Sequence, residues 1–356
     1  MSVAATVVVA ATRSEQPGAT MRIAGLTVVE RAIKQLAQPP GAEVVVASDG
    51  TVALPPSLPG NVAVHMVEDD GAPEAVASLA GGIGVPVVGA DVVRVGRADA
   101  GTRVTDEASR SAAEDAVFAA LYRADLGFVA RRFNKPLSVR LTRHWLVGTS
   151  ITPNQITLVA AAIGLVGCGL LAIGDYLAVV AGMACAHVQS ILDGCDGELA
   201  RVRFQQSKLG AWLDTFVDDV LNVLMTAAVG IGLWRAGAGT WALAAGLGGS
   251  AMLIASNLII MRDMRRQKAS GDLMDMVWWF SGGRKLAEMP SAAGKPSIGS
   301  VLFVMGRRDS AIALWLLFAL AGLPVLILIM AGIIALSWFV AALVQLVVRP
   351  APPANR

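Results

Sequence analysis

Four aspartates are spaced so that neighbouring helices would bring their side chains together. Asp193 and Asp196 are three residues apart at the end of an apolar segment, and Asp214 and Asp218 are four apart at the start of the next. Residues three or four apart share one face of an α-helix. Gly210 lies one turn before Asp214 on that face. Two adjacent helices are therefore predicted to direct four carboxylates to one point.

Such a cluster indicates metal-assisted chemistry. Four carboxylates this close cannot all remain ionised without a cation, and all-oxygen ligands suit hard ions such as Mg²⁺, Mn²⁺ or Ca²⁺. Two metals would suit a phosphoryl displacement, because they clamp the attacking and leaving oxygens. Gly197 and Gly210 leave room for a ligand against the backbone, and Arg201 can hold a diphosphate through two parallel hydrogen bonds. A helix cap or a buried pair would explain one aspartate, but not four at this spacing. Asp219 falls off the shared face and is interpreted as a solvated or paired carboxylate.

The motif reads Asp193-x-x-Asp196-Gly197-x-x-Ala200-Arg201, eight residues, Gly210-x-x-x-Asp214-x-x-x-Asp218. It resembles the signature of the CDP-alcohol phosphatidyltransferase family at every fixed position. The resemblance implies a homodimeric enzyme that moves a phosphoryl-alcohol unit from a CDP-alcohol donor to a hydroxyl acceptor and releases CMP. It also implies two divalent cations, Mg²⁺ or Mn²⁺, with four ligands, Asp193, Asp196, Asp214 and Asp218. Asp218 would in addition be the general base.

The same resemblance implies a nucleotide site. The stretch Thr152-Pro-Asn-Gln-Ile-Thr157 resembles the start of the family's first membrane span, which borders the nucleotide. Read alone, it is a helix entry signal with proline at the start of an apolar helix. The residues expected to line the nucleotide site are Asn154, Thr157, Asp193, Gly197, Ala200, Arg201, Ser207 and Gly210.

The elements that must position this site are apolar helices. Hydrophobic residues make up 55% of the 356 residues and charged residues only 16%, well under the quarter typical of soluble domains. Six apolar segments are predicted to span the membrane, judged against the roughly 20 residues that a spanning helix needs. They are Ile156–Gly174, Leu177–Leu192, Trp212–Leu233, Trp241–Met261, Ser310–Ala321 and Val325–Val348. Before them, Leu137, Leu141 and Trp145 recur within a basic stretch, which predicts an amphipathic helix lying on the membrane surface.

Charge gives the predicted orientation and excludes one class of partner. Lysine and arginine concentrate in the loops after the second and fourth segments, and positive loops stay inside. Both termini and the aspartates are therefore expected on the cytosolic side of an inner membrane. Met1 to Ala11 lacks the basic start of a secretory signal, and a net charge of +2 gives no case for nucleic acid. Trp278 and Trp279 follow a basic run and are predicted to anchor at the membrane interface.

The front of the chain predicts a small α/β domain. Strand candidates are Val3–Ala11, Glu43–Ala47, Asn61–Val67 and Val85–Val95, and helical candidates are Ile23–Leu36, Pro73–Leu79 and Ala112–Arg123. The stretch from Ile23 to Lys34 resembles sugar-nucleotide and cytidylyl transferases, but the glycine-rich loop and the Pro-Lys pair of active members are missing. The domain is therefore expected to be inactive. Its pairing with this membrane half resembles bifunctional enzymes that make di-myo-inositol phosphate.

The predicted fold is a multi-pass α-helical membrane domain of six transmembrane helices behind a small cytosolic α/β nucleotidyltransferase-like domain. The predicted boundaries are 1–110 for a degenerate cytidylyltransferase-like domain, 111–150 for a linker with a juxtamembrane amphipathic helix, 151–348 for the membrane domain and 349–356 for a disordered tail. Two other functions fit parts of the pattern. A transporter would have similar spans but carboxylates near mid-bilayer, and a nucleotide-sensing regulatory protein would use the degenerate front domain. Release of CMP from a CDP-alcohol would distinguish the enzyme from the transporter and the regulatory protein. The sequence does not identify the acceptor.

Overall fold

The protein is described from a computed structural model. The structure describes residues 6–11, 19–37, 43–48, 52–56, 58–66, 87–89, 92–93, 102–122, 129–267, 276–281 and 308–348. The chain divides into two compact units. The first comprises Met1–Arg123, Thr142–Ser150 and Glu198–Gln205, and the second comprises Ala124–Leu141, Ile151–Gly197 and Gln206–Arg356.

A parallel sheet organises the first unit. Its strands are β1 (Thr6–Ala11), β4 (Glu43–Ser48), β5 (Val62–Met66) and β6 (Val87–Gly89), in the order β5-β4-β1-β6. Two antiparallel pairs join β2 (Arg22–Ile23) to β3 (Leu26–Thr27) and β7 (Val92–Val93) to β8 (Thr102–Arg103). Helix α1 (Val28–Ala37) packs on the sheet through Val29 and Ile33, which join a core with Val44 and Val46. Each predicted strand candidate overlaps at least one observed strand.

The helix predicted over Ile23–Leu36 is partly wrong. The chain first makes the β2–β3 hairpin, and α1 begins only at Val28. Ala24 and Gly25 have positive φ angles of 48° and 79°, a conformation that a helix cannot contain. The other predicted helix of the front half is present as α2 (Glu107–Ala119), which begins earlier than expected because Asp106 and Ser109 form a capping box. The predicted helix Pro73–Leu79 and the tail 349–356 lie outside the described residues.

Residues 130–146 are helical throughout. The α-helix α3 (Lys135–Leu141) is flanked by π-helical turns at Ala130–Asn134 and Thr142–Leu146. Its polar stripe of Asn134, Ser138 and Thr142 is buried, whereas Phe133, Leu137 and Trp145 are 55%, 45% and 75% exposed. An apolar stripe on the outside suits contact with lipid, so the interfacial location stays a prediction with this support.

Long helices make up the described part of the second half. They are α4 (Pro153–Leu171), α5 (Tyr176–Arg203), α6 (Lys208–Leu233), α7 (Thr240–Gln267), α8 (Arg308–Leu320) and α9 (Pro324–Val348). Helix α4 begins as predicted, with Pro153 in its first turn and a capping box between Thr152 and Gln155. Within the part of the chain that the structure describes, five helices, α4 to α7 and α9, are long and apolar enough to cross a membrane. The predicted count of six is not confirmed, because the fifth predicted span corresponds to α8, which has only 13 residues.

Small residues let the apolar helices of the second unit approach closely. A Cβ on Gly230 of α6 would lie 2.7 Å from the Cα of Gly246 on α7, so any larger residue there would push the two helices apart. The buried core alongside includes Met183 of α5, Leu221 of α6 and Ile312 of α8. The helix pair that carries the aspartates is thus embedded in a packed bundle.

A buried polar network links the ends of α7 and α9 to residues 276–281. The Asp263 carboxylate accepts hydrogen bonds from Gln267 Nε2 at 2.8 Å and Gln345 Nε2 at 2.5 Å. Gln345 Oε1 accepts from the Trp279 backbone N–H at 2.9 Å. The prediction that Trp278 anchors at the interface is wrong, since its side chain is 3% exposed and packs 5.5 Å from the Trp338 ring. Trp279 is 44% exposed, and its anchoring role stays a prediction.

Candidate active site

Three of the four predicted ligand carboxylates converge. Asp193 and Asp196 of α5 and Asp214 of α6 each offer one oxygen, and these oxygens lie within 4.8 Å of one another. Helix α5 continues to Arg203, well beyond the aspartates that were predicted to lie at its end. The two α5 aspartates therefore lie on a rigid helix, one turn apart, opposite the first turns of α6.

Thr157, a predicted nucleotide residue, contacts this cluster directly. Its hydroxyl on α4 donates a hydrogen bond to Asp196 Oδ2, and both side chains are almost fully buried. The hydroxyl also lies 3.3 Å from the Pro153 carbonyl. Since a hydroxyl has one proton, the charged oxygen of Asp196 is the stronger acceptor. Thr157 is thus placed to orient one carboxylate of the cluster.

Asp218 forms an ion pair with a residue outside the motif. The Arg308 guanidinium at the start of α8 forms an ion pair with the Asp218 carboxylate and lies 3.8 Å from Asp193 Oδ2. Asp218 follows Asp214 by one helical turn on α6. Its predicted role as both ligand and base stays a prediction, and Arg308 is a residue that sequence reasoning counted only among the loop charges.

Three other predicted nucleotide residues meet where α4 and α6 begin. Ser207 is the N-cap of α6, and its Oγ accepts a hydrogen bond from the Gly210 N–H at 2.9 Å. A Cβ on Gly210 would lie 3.0 Å from Ser207 Oγ and 3.1 Å from Asn154 Oδ1. Glycine at this position therefore keeps a small polar recess open between Ser207 and Asn154.

The remaining predicted residues follow on α5. Gly197 comes directly after Asp196, and Ala200 and Arg201 lie about one turn further along the same helix. Both belong to the segment Glu198–Gln205 of the first compact unit. Their contact with a nucleotide stays a prediction.

A cavity of about 400 Å³ is lined by residues of α6, α7, α8 and α9, including Asp214 and Asp218. Its polar lining follows one face of α6 and includes Asp219, Asn222 and Thr226, with Asn257 across from them on α7. Its apolar lining includes Trp315 and Trp338. Asp219 was interpreted as a solvated or paired carboxylate off the shared face, and the structure places it on the lining of this cavity. The lining residues of α7 to α9 are distant in sequence, and no local pattern marked them.

The donor set fits a hard divalent cation. Three carboxylate oxygens within 4.8 Å of one another are the ligands such ions prefer, and one of the three residues, Asp196, is only 6% exposed. Arg308 supplies a nearby positive charge to Asp193, but one guanidinium does not balance the four aspartates of the motif.

Comparison with known proteins agrees with this arrangement. Residues 150–289 match the sequence model of the family described as CDP-alcohol phosphatidyltransferase. Proteins named "Bifunctional IPC transferase and DIPP synthase" are similar over part of the chain. The protein from Archaeoglobus fulgidus is 30% identical over 127 residues, which is 36% of this chain and 25% of that protein. The one from Rubrobacter xylanophilus is 32% identical over 177 residues, or 49% of this chain and 38% of that protein. The chain thus aligns with well under half the length of these relatives.

Proposed function

We propose that the chain, whose residues 150–289 match the model of the CDP-alcohol phosphatidyltransferase family, transfers a phosphoryl-alcohol unit from a CDP-alcohol to a hydroxyl acceptor and releases CMP. The observation that carries the proposal is the convergence of Asp193, Asp196 and Asp214. The cavity that opens beside Asp218 gives an acceptor a place next to these carboxylates.

The cofactor in this proposal is a pair of divalent cations, Mg²⁺ or Mn²⁺. Asp193, Asp196 and Asp214 would hold them, with Asp218 as a further ligand. Bound there, the cations would neutralise phosphate charge and lower the pKa of an acceptor hydroxyl. Thr157 keeps the Asp196 carboxylate in place through its hydrogen bond.

The nucleotide would lie on the other side of the carboxylates. Asn154, Ser207 and Gly210 form a recess at the start of α4 and α6 that suits polar groups of the donor. Gly197 lets the donor approach the α5 backbone, while Arg201 would bind the diphosphate through paired hydrogen bonds. Ala200, small like the glycines, keeps that face of α5 open.

Asp218 would be the general base. It lies one turn beyond Asp214 and lines the cavity, so an acceptor there would meet its carboxylate. The acceptor oxygen forms a bond to the phosphorus that carries the alcohol, and the phosphoanhydride bond to CMP breaks. The hydroxyl proton passes to Asp218, and CMP leaves with the bridging oxygen. Arg308 holds the carboxylate in place by its ion pair.

The acceptor class and cellular setting belong to the same proposal. The relatives' names and the resemblance to di-myo-inositol phosphate enzymes favour an inositol phosphate, and a phospholipid alcohol is the other class of acceptor. The spans would place the enzyme in an inner membrane, with its termini and site on the cytosolic side. The family resemblance implies that the enzyme is a homodimer. The front domain would be a degenerate cytidylyltransferase-like unit without catalysis of its own.

Release of CMP by the purified protein tests the function. A panel of CDP-alcohols is combined with inositol phosphate, glycerol phosphate and lipid alcohols, in Mg²⁺ or Mn²⁺ and then in excess chelator. Asp196→Asn should abolish release. Asp175→Asn is the matched control, because Asp175 caps the opposite end of α5 and asparagine caps equally well. Absence of CMP release with every pair would leave a transporter or a regulatory protein as the better explanation.

A further inference from the structure

Arg31 of the front domain is directed into the protein rather than toward a substrate. Its side chain, on α1, is only 3% exposed. The Nη2 group donates to the Val202 carbonyl at 2.9 Å and to the Ile23 carbonyl at 3.1 Å. Val202 lies in the last turn of α5, the helix that carries Asp193 and Asp196. All the groups in this contact belong to the first compact unit.

The end of a helix is where such a contact matters. The last carbonyls of a helix lack backbone partners, and cations are favoured there. Beyond α5, Phe204 has a positive φ of 56°, and the Gln205 N–H donates to the Ala200 carbonyl at 2.8 Å. A phenylalanine in this left-handed conformation is strained. The Arg31 guanidinium lies 5.4 Å from the centre of the Phe204 ring, a cation–π contact that stabilises the turn.

Residues 142–149 of the same unit form further hydrogen bonds with the end of α5. Arg203 donates to the carbonyls of Leu146, Val147 and Thr149 at 2.8, 2.9 and 2.5 Å. The Thr142 hydroxyl donates to Glu198 Oε2 at 2.7 Å, with both side chains fully buried. The segment from Glu198 to Gln205 is therefore held by polar contacts at Glu198, Val202, Arg203 and Gln205.

Simple packing does not explain an arginine at this place. A methionine or leucine would fill the space without the cost of burying a charge, whereas a guanidinium satisfies carbonyls and an aromatic face together. Burial lowers the pKa of Arg31 to about 10, so the side chain stays protonated at neutral pH.

We propose that the front domain is a positioning element for donor binding, and that Arg31 is the positioning residue through which it acts. It fixes the last turn of α5 in the shape that presents Arg201 to the nucleotide. The proposal rests on the proposed function, because it assigns the donor diphosphate to Arg201. A domain that has lost its own catalytic loop thereby keeps a role in the membrane enzyme.

The test compares two single variants in the full chain. Arg31→Met removes the charge and both hydrogen bonds at similar length. Lys34→Met is the control, because Lys34 lies on the same helix, is partly exposed and forms an ion pair with Glu30 on that helix. We expect Arg31→Met to raise the KM for CDP-alcohol about tenfold, the scale of one charged hydrogen bond. The kcat and the Mg²⁺ concentration for half-maximal rate should change less than about twofold, since the aspartates lie outside the turn. Arg31→Lys should rescue the KM only in part, because an ammonium lacks the planar fork.

Hydrogen exchange separates this inference from the catalytic one. In Arg31→Met, the Gln205 amide should exchange faster, while amides of α6 around Leu221 keep their protection. If the Gln205 amide exchanges faster in Arg31→Met but even the wild type releases no CMP, the proposed function is refuted. The contact between Arg31 and the end of α5 would still be supported by that result. An unchanged KM and unchanged exchange at Gln205 would overturn the positioning role. Loss of protection across both regions, with kcat and KM changing together, would also overturn it, because Arg31 would then be a general stabilising residue.

Discussion

Arg308 forms an ion pair with Asp218, the proposed general base, and lies 3.8 Å from Asp193, a proposed metal ligand. One guanidinium thus contacts a carboxylate on each of the two motif helices, from a third helix that the motif does not include. The pair is partly exposed, with side chains at 21% and 26%, and solvent screens it to some extent. The ion pair therefore serves to orient Asp218 and to balance local charge, and it contributes little to the free energy of unfolding.

Replacing Arg308 should change rate and metal affinity in opposite directions. Arg308→Met leaves Asp218 without the partner that orients it, so turnover should fall about tenfold, part of the ~10²–10⁴ that a general base contributes. It also removes a positive charge beside Asp193, so a divalent cation should bind more tightly. CMP release measured against Mg²⁺ concentration, together with direct Mn²⁺ binding, gives both quantities.

Arg235→Met is the control for Arg308, since Arg235 lies beyond α6 and donates to the Ala172 carbonyl. It should leave both quantities unchanged. Weaker Mn²⁺ binding in Arg308→Met would contradict the electrostatic argument and make Arg308 a structural support of the ligands.

Thr157 offers a conservative pair of substitutions. Thr157→Val keeps the shape but removes the hydroxyl that donates to Asp196, so Asp196 loses a partner and its orientation. We expect the Mg²⁺ concentration for half-maximal rate to rise by about tenfold, the scale of one hydrogen bond to a charged group. Thr157→Ser keeps the donor and should stay within about twofold of wild type. Equal behaviour of the two variants would show that the hydroxyl has no part in holding the carboxylate.

Local spacing was enough to predict part of this site. Asp193, Asp196 and Asp214 converge because positions three or four apart share a helix face and because adjacent apolar segments pack together. Thr157 was carried over from a resemblance and contacts Asp196. The cavity residues of α7 to α9 could not be found in this way. Arg308 follows Asp218 by 90 residues, and a loop arginine has no local feature that indicates a buried partner.

Trp278 shows a different limit of sequence patterns. A tryptophan after basic residues suits the membrane interface, but the polar network of Asp263, Gln267 and Gln345 turns this segment inward. Such a network combines residues from three separate segments, so its effect appears only when the helices are assembled. The helix prediction at Ile23 failed for a local reason, because apolar periodicity continued through the Ala24–Gly25 turn.

The network itself makes a prediction about stability. Gln345 is fully buried; its amide donates to Asp263 and to the Val277 carbonyl, and it accepts from the Trp279 N–H. Gln345→Leu removes these three hydrogen bonds, and Asp263 and the Val277 carbonyl keep only their bonds from Gln267 and Arg266 among the described contacts. The free energy of unfolding should therefore fall by ~1–3 kcal/mol. Thermal unfolding in detergent measures the change. Ser337→Ala on the same helix is the control, because Ser337 is exposed and bonds only within its own helix in the described structure. An unchanged melting temperature for Gln345→Leu would mean that water replaces the lost partners.

Asp218→Asn decides the assignment of the base. The acceptor hydroxyl must lose its proton as it attacks phosphorus, and Asp218 lies ~5.4–6 Å along α6 from Asp214, on the wall of the acceptor cavity. Asparagine keeps the shape and one oxygen ligand but cannot take a proton. We expect CDP-alcohol binding to persist and turnover to fall by ~10²–10⁴-fold, while Asp175→Asn stays at the wild-type rate. If Asp218 only holds metal, the variant should mainly need more cation. Near-normal turnover at high Mg²⁺ would therefore make Asp218 a ligand and not the base.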